Sequence, residues 1–336
     1  MNSVPRGISA AARRGPVDFG RSGGYVLIVT LWVMVILGML LTSLSYQVRV
    51  ETALERRALE QSKLRWAARG AVHLACARLR EHANDSYHSP LDDWWSDSEA
   101  YRERPLGETL VSLWRPSTTD QQELEYGLDD AESRLNINTA EPEQLMGFPG
   151  VSTVLAESIA RYRRERQEQE EKGEASPERG EDPTKPVLID GPIRSLRELL
   201  AVDGVTEQLL FGVGEDGRQP LARYLTHASS GRVNINSAPE AVLGAVGFSE
   251  GVVNLLLAQR RQGVVYRSLE DAQSALDVAG DQGNKWQRLE RFLTVRSSTF
   301  HLRALAVLAA TGAEYNAEAT VFTGEDRLLF TRWQEY

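Results

Sequence analysis

Few side chains in this 336-residue chain stand at spacings that perform bond chemistry. The five histidines, His73, His82, His88, His227 and His301, include no HExxH pair or other zinc spacing, and no G-x-S-x-G elbow or P-loop occurs. Each histidine therefore reads as a structural or surface residue, and the chain is not expected to be an enzyme. The single cysteine, Cys76, excludes an intramolecular disulfide and any CxxC site. On an Ala-rich helical stretch it reads as a small packing residue. Trp94-Trp95 reads as packing beneath a sheet. Three carboxylates, Asp129, Asp130 and Glu132, stand together before the first of two repeats. Their ordinary use is a solvated strand end or an N-cap.

The other chemistry on offer is phosphate binding. Arg134-Leu-Asn-Ile-Asn-Thr-Ala140 recurs as Arg232-Val-Asn-Ile-Asn-Ser-Ala238, 98 residues on, and Leu145 matches Leu243. Each copy precedes a helical pattern, over 142–146 and 239–246, with Thr139 and Ser237 as expected N-caps. Phe148-Pro-Gly-Val-Ser152, followed by an apolar face of Val154, Leu155, Ile159 and Tyr162, predicts a helix-hairpin-helix. A further half-hairpin is expected over 195–210 around Asp203-Gly204, and another helix from Ser268. Hairpins of this kind bind DNA by presenting turn N–H groups to phosphate. Here the first turn, Gly150-Val-Ser152, lacks the second glycine, and Asp203 is acidic beside the equivalent position. Arg161, Arg163, Arg164 and Arg166 are surrounded by Glu165, Glu168, Glu170 and Glu171. The chain carries 38 Lys and Arg against 47 Asp and Glu, a net charge of −9, which disfavours a polyanionic partner. No nucleic acid is expected to bind. A membrane-anchored helix-hairpin-helix DNA receptor of the competence type is the alternative reading.

The elements that would position these groups are legible in part. Residues 25–46 read YVLIVTLWVMVILGMLLTSLSY, without a charge. As a helix this stretch rises about 33 Å, enough for a hydrocarbon core of about 30 Å. Ahead of it Arg6, Arg13, Arg14 and Arg21 face only Asp18, a local +3 that leaves −12 for the rest. The positive-inside bias puts the N-terminus in the cytoplasm and the body across the membrane. Residues 47–82 are expected to continue the helix, since they contain no proline and place Val48, Leu54, Leu59, Leu64 and Leu74 among charges. Residues 163–186 are nearly free of apolar side chains and are expected to be an exposed loop. Strand-like patterns cover 108–115, 121–130, 292–312, 313–324 and 327–336. The expected fold is α+β: a domain over 83–131 and 291–336, interrupted by a mostly helical insertion over 132–290.

The junction Arg21-Ser-Gly-Gly-Tyr25 resembles a type IV prepilin processing site. Cleavage after Gly24 would remove residues 1–24 as a leader and leave Tyr25 as the new N-terminus. Val29 then occupies the fifth mature position, where pilins carry a Glu that pairs with a neighbour's N-terminal amine. An ionisable group in a membrane helix needs such a partner, and Val29 cannot be one. Three further features follow in order: the run over 25–34, the two Asn-x-Asn repeats after Asp129-Asp130-Ala-Glu-Ser-Arg134, and FLTVRSSTFHLRA over 292–304. Together these resemble the type II secretion minor pseudopilin K family, although Tyr25 stands where Phe is more usual. The resemblance implies a pilin-like α/β domain with SAM-like, helix-hairpin-helix modules in the insertion. It implies a single-pass protein of the bacterial inner membrane, with its C-terminal domain in the periplasm, cleaved and N-methylated at Tyr25 by prepilin peptidase. The implied role is at the tip of the periplasmic pseudopilus, helping to initiate its assembly for export across the outer membrane. The implied partners are the other minor pseudopilins, the major pseudopilin, the inner-membrane secretion platform and membrane lipid. Calcium in the soluble body is implied too. Asp129, Asp130 and Glu132 are the candidate carboxylates, and no ligand set is assigned.

Overall fold

The computed structural model describes residues 23–116, 124–171, 192–214, 217–277, 283–324 and 328–336. The chain falls into two compact units, residues 1–59 and 60–336. The expected leader lies outside the described residues except for Gly23 and Gly24, which open helix α1 (Gly23–Glu81). Among the described residues this is the one helix long and apolar enough to cross a membrane. In the first unit its polar groups are satisfied internally, as lipid requires. The Thr30 hydroxyl donates to Leu27 O and that of Thr42 to Gly38 O, each at 2.9 Å.

In the second unit α1 leads to two one-turn helices, α2 (Asp93–Ser96) and α3 (Ser98–Tyr101). Strands β1 (Arg104–Leu106), β2 (Thr109–Pro116), β3 (Leu124–Tyr126) and β4 (Asp129–Asp130) follow. The insertion begins with β5 (Leu135–Asn136), α4 (Pro142–Leu145) and α5 (Thr153–Glu171). It continues through α6 (Glu207–Phe211), β6 (Leu225–Thr226), β7 (Val233–Asn234), α7 (Glu240–Val246) and α8 (Glu250–Arg261). Helices α9 (Leu269–Asp277) and α10 (Gly283–Leu289) and strand β8 (Leu293–Thr294) complete it. The chain then returns through β9 (Thr299–Leu308), β10 (Glu314–Thr323) and β11 (Leu328–Glu335).

The antiparallel sheet has the order β1-β2-β9-β10-β11, with β3 on β2 and β4 on β9. Alternate residues bury one face, as the strand period dictates. Phe300, Leu302, Ala304, Ala306 and Leu308 of β9 join Ala317, Ala319 and Val321 of β10 in one core. Leu64, Ala68, Ala71, Val72, Ala75, Cys76 and Leu79 of α1 fill the other side, spaced three and four apart. Glu335 ties β11 to the same helix through Arg65 at 2.7 Å and Arg69 at 2.5 Å. Trp95 is buried in this core, 5.5 Å from the Phe300 ring, and its indole N–H donates to Leu128 O at 2.8 Å.

The insertion owns a separate core, from Leu135 to Val295. The hairpin α4–α5 forms as expected, and so do the half-hairpin ending in α6, with Gly204 at φ +91°, and helix α9 after Ser268. Two expectations need correction. The loop expected over 163–186 is helical as far as Glu171, and 172–191 lie outside the described residues. Arg, Glu and Gln are strong helix formers, and Arg163 is anchored by donating to Ile137 O (3.0 Å) and Ala140 O (2.7 Å). Thr139 and Ser237 are not the N-caps. Those positions fall to Glu141 and Pro239, because Pro142 is the first residue of α4 and α7 starts at Glu240. In the strand-like stretch 121–130, residues 121–123 lie outside the described residues and 124–126 and 129–130 are strand.

Candidate functional site

Two groups of residues carry the expected function, one in each unit. Gly24 and Tyr25 lie in the first turn of α1 and Val29 one turn on; Tyr25 is 77% exposed and Val29 49%. No charged residue occurs between Tyr25 and Arg49.

The second group lies where the chain leaves the sheet. Strand β4 delivers Asp129 and Asp130, and a single 3-10 turn, Ala131–Ser133, delivers Glu132. All three carboxylates are buried, so the expected solvated strand end is corrected, while Asp130 does act as an N-cap for that turn. Asp129 is gripped by Arg134 at 2.5 Å and Arg303 at 2.6 Å. Burial alone would raise its pKa; the two guanidiniums overcome this and hold it well below the usual carboxylate range. Asp130 accepts the Glu132 N–H at 2.8 Å and the Ser237 hydroxyl at 2.5 Å. Burial and the neighbouring Glu132 push its carboxyl well above the ordinary value.

Glu132 does the joining. Its Oε1 accepts the Ser230 N–H at 3.0 Å and the Ser298 hydroxyl at 2.9 Å, and its Oε2 accepts the Thr299 N–H at 3.0 Å. One side chain thus holds the exit from the sheet, the middle of the insertion and the return to the sheet. These carboxylates do not fit a calcium ion. Asp129 is already matched by two cations, and the oxygens of the other two face donors of the protein. Among the described residues no group of three or more His, Cys, Asp and Glu side chains is arranged to hold a metal.

Two of the partners of Glu132, Ser230 and Ser298, come from a second repeat that sequence reasoning missed. Arg223-Tyr224-Leu225-Thr226-His-Ala-Ser229-Ser230 recurs as Arg291-Phe292-Leu293-Thr294-Val-Arg-Ser297-Ser298. Each copy closes one module. Strand β5 pairs in parallel with β6, and β7 with β8. Within each module an Asn of the first repeat clamps the chain entering the second hairpin. Asn138 exchanges two bonds with Ile193 and gives one to His227 O. Asn236 does the same with Tyr266 and His88 O. Arg163 binds Ile137 O and Ala140 O in one copy, and Arg260 binds Ile235 O and Ala238 O in the other. The hairpin turn at Gly150, φ +87°, is exposed, with the Arg218 and Leu209 side chains beside it.

On the sheet's other face, register lines up two rows. Asp129, His301, Thr320 and Arg332 form one; Trp114, Arg303, Glu318 and Gln334 form the next. Burial pushes the His301 imidazole down to about 3; Asp129 opposes this, and Arg134, Arg303 and His227 add to it. The neutral ring meets the Thr320 hydroxyl at 3.0 Å and that of Thr226 at 3.3 Å.

Comparisons with known proteins agree with this geometry. The model of the helix-hairpin-helix motif family matches residues 130–170. Endonuclease/exonuclease/phosphatase family domain-containing protein 1 of Xenopus laevis is 26% identical over 157 residues, 42% of this chain and 24% of that protein. The chain therefore spans about a quarter of the length of that curated relative. Among solved structures, a chain of the GspK-GspI-GspJ complex from the enterotoxigenic Escherichia coli type 2 secretion system aligns with a TM-score of 0.57 and 15% identity. The alignment covers 84% of this chain and 98% of that one, and it identifies a pseudopilin-like fold.

Removing the Glu132 carboxylate leaves three donors from two segments, at Ser230 and at Ser298-Thr299, unmatched. Glu132→Ala is expected to cost about 3–5 kcal/mol in denaturant unfolding of the full chain in detergent, and a loss below about 1 kcal/mol would contradict the assigned role. The His301 pKa is lower in the folded state than in the unfolded chain, so its contribution is present at neutral pH and is lost as pH falls from 6.5 toward 3. Over that window wild type should lose up to about 1.4 kcal/mol per pH unit more than His301→Gln. Thermal midpoints against pH measure the difference; parallel curves would count against it.

Proposed function

We propose that this protein is a minor pseudopilin of a type II secretion system, held in the inner membrane by α1 and placed at the tip of the periplasmic pseudopilus. One observation carries the reading. A single apolar helix enters a body whose antiparallel sheet packs on that helix's small-residue face, with a helical insertion between β4 and β9. The fold likeness to a chain of the GspK-GspI-GspJ complex supports this reading.

Four physical arguments support the finer assignment. The +3 leader favours a cytoplasmic N-terminus and a periplasmic body. Gly24 before Tyr25 suits a peptidase that cuts on the cytoplasmic side and keeps the membrane helix, with Tyr25 then methylated. Val29 removes the carboxylate that would neutralise a neighbour's terminal amine, which suits a subunit that begins a fibre and does not repeat along it. A body of residues 60–336 is also too bulky for repeated packing along a thin fibre, whereas at a tip only one copy need fit. The role is one of assembly, through contacts with the other minor pseudopilins, and involves no catalytic step. The DNA-receptor alternative is disfavoured by the acidic body and by the missing second glycine in the turn Gly150-Val-Ser152.

Co-expression of the full chain with the other minor pseudopilins of its host, followed by purification in detergent, is expected to give a complex with one copy of each. A chain that purifies alone and binds duplex DNA at physiological salt would replace this reading with the alternative. In the same cells Val29→Glu is expected to permit incorporation along the fibre body. Unchanged secretion and unchanged tip composition would remove the significance of Val29.

A further inference from the structure

The first hairpin turn has the outline of a phosphate-binding loop and caps itself instead. Where that pattern has a second glycine, the Ser152 hydroxyl accepts the Leu155 N–H at 3.2 Å. The half-hairpin repeats the device, with the Thr206 hydroxyl accepting the Leu209 N–H at 3.1 Å. At each helix start, a donor that could have met a phosphate is already used within the protein.

The two turns stand side by side. A Cβ added to Gly150 would lie 3.0 Å from Leu209, and one added to Gly204 would lie 3.3 Å from Leu155. Apolar side chains are exposed at this end of the insertion: Val154 is 74% exposed, Val213 52% and Phe211 36%. An open groove of about 680 Å³ adjoins Gly150, with Leu209 in its lining between Thr206 and Arg218.

The border of this apolar surface is acidic. From Glu198 to Asp216 the chain has five carboxylates and no lysine or arginine. The neighbouring arginines are engaged. Arg197 lies 4.9 Å over the Phe211 ring and 4.0 Å from Glu207, and Arg166 pairs with Glu198 at 3.5 Å. Arg161 donates to the Ser158 hydroxyl at 3.4 Å, and Arg218 has a further partner in the protein. Asp203, beside Gly204, and Glu157, one turn after Val154, are exposed and make no ion pair among the described residues.

We infer that this end of the insertion is a docking surface for a protein segment with an apolar anchor flanked by lysines or arginines. Val154, Phe211, Val213 and the groove take the anchor, and Asp203 and Glu157 select the cationic flanks. The same carboxylates repel a polyanion, so a turn of the DNA-binding type serves here to hold protein. The inference does not depend on the role proposed above.

The probe is a phage-displayed library of random dodecapeptides, selected on the full chain in neutral detergent and counter-selected on empty micelles and on Val154→Ser. Enriched sequences are expected to combine aliphatic or aromatic residues with Lys or Arg. A synthetic copy of the most enriched peptide should bind Val154→Ser about tenfold more weakly, the loss of one valine contact. Asp203→Asn and Glu157→Gln should each weaken it about twofold and reduce its salt dependence. All three side chains are exposed, so each variant should keep the wild-type thermal midpoint. If Val154→Ser is destabilised, the two charge variants decide the matter through the salt dependence. No enrichment, an acidic consensus, or unchanged binding by all three variants would overturn the inference. Displacement of the peptide by duplex DNA would overturn it in favour of phosphate, and a dimer in light scattering that Val154→Ser abolishes would do so in favour of a second copy.

Discussion

Glu132 accepts hydrogen bonds from Ser230, Ser298 and Thr299 while buried from water, and the body's organisation depends on it. The sheet packed on α1 has one hydrophobic core and the insertion has another. Non-directional apolar packing within each core does not specify how the two are joined. A buried carboxylate with fixed donors does, because every alternative arrangement leaves either the charge or the donors unmatched. Asp129, held between Arg134 and Arg303, and Asp130, held by Ser237, extend the same joint on either side.

The joint has a pseudo-symmetric origin. Ser230 and Ser298 end equivalent segments of the two modules, so Glu132 sits where both modules finish. Each module closes itself with a two-residue parallel ladder and an asparagine clamp, which satisfies backbone groups that short irregular segments would otherwise bury unpaired. Such modules offer a rigid helical body at little cost to the host sheet, since the chain leaves from β4 and returns at β9, and these strands are neighbours in the ladder. A bulky addition to a pilin-like sheet is then compatible with the sheet's own packing on α1.

How much of this was legible in the sequence follows from the range of the interactions. The apolar run over 25–46, the Asn-x-Asn repeats, the hairpin at Pro149-Gly150 and the alternating β9 are local patterns, and local patterns can be read along the chain. The end of α5 is not legible from polarity, because Arg and Glu at helical spacing need only one anchor, supplied by Arg163 on Ile137 and Ala140. Thr139 and Ser237 were misplaced as caps because the prolines shift the helix starts. The second repeat, from Arg223 and Arg291, was overlooked because its residues are individually common; comparing the segments that precede β7 and β9 would have found it. The burial of Asp129, Asp130 and Glu132 was not legible at all, since their partners lie up to 174 residues away along the chain.

The central claim is that α1 is a processed pseudopilin helix and not a plain membrane anchor. Intact-mass and peptide mass spectrometry of the N-terminus, on protein made in cells that contain prepilin peptidase, tests this most directly. The account predicts a chain that begins at Tyr25 and carries one N-methyl group. A chain still beginning at Met1 in those cells would contradict it.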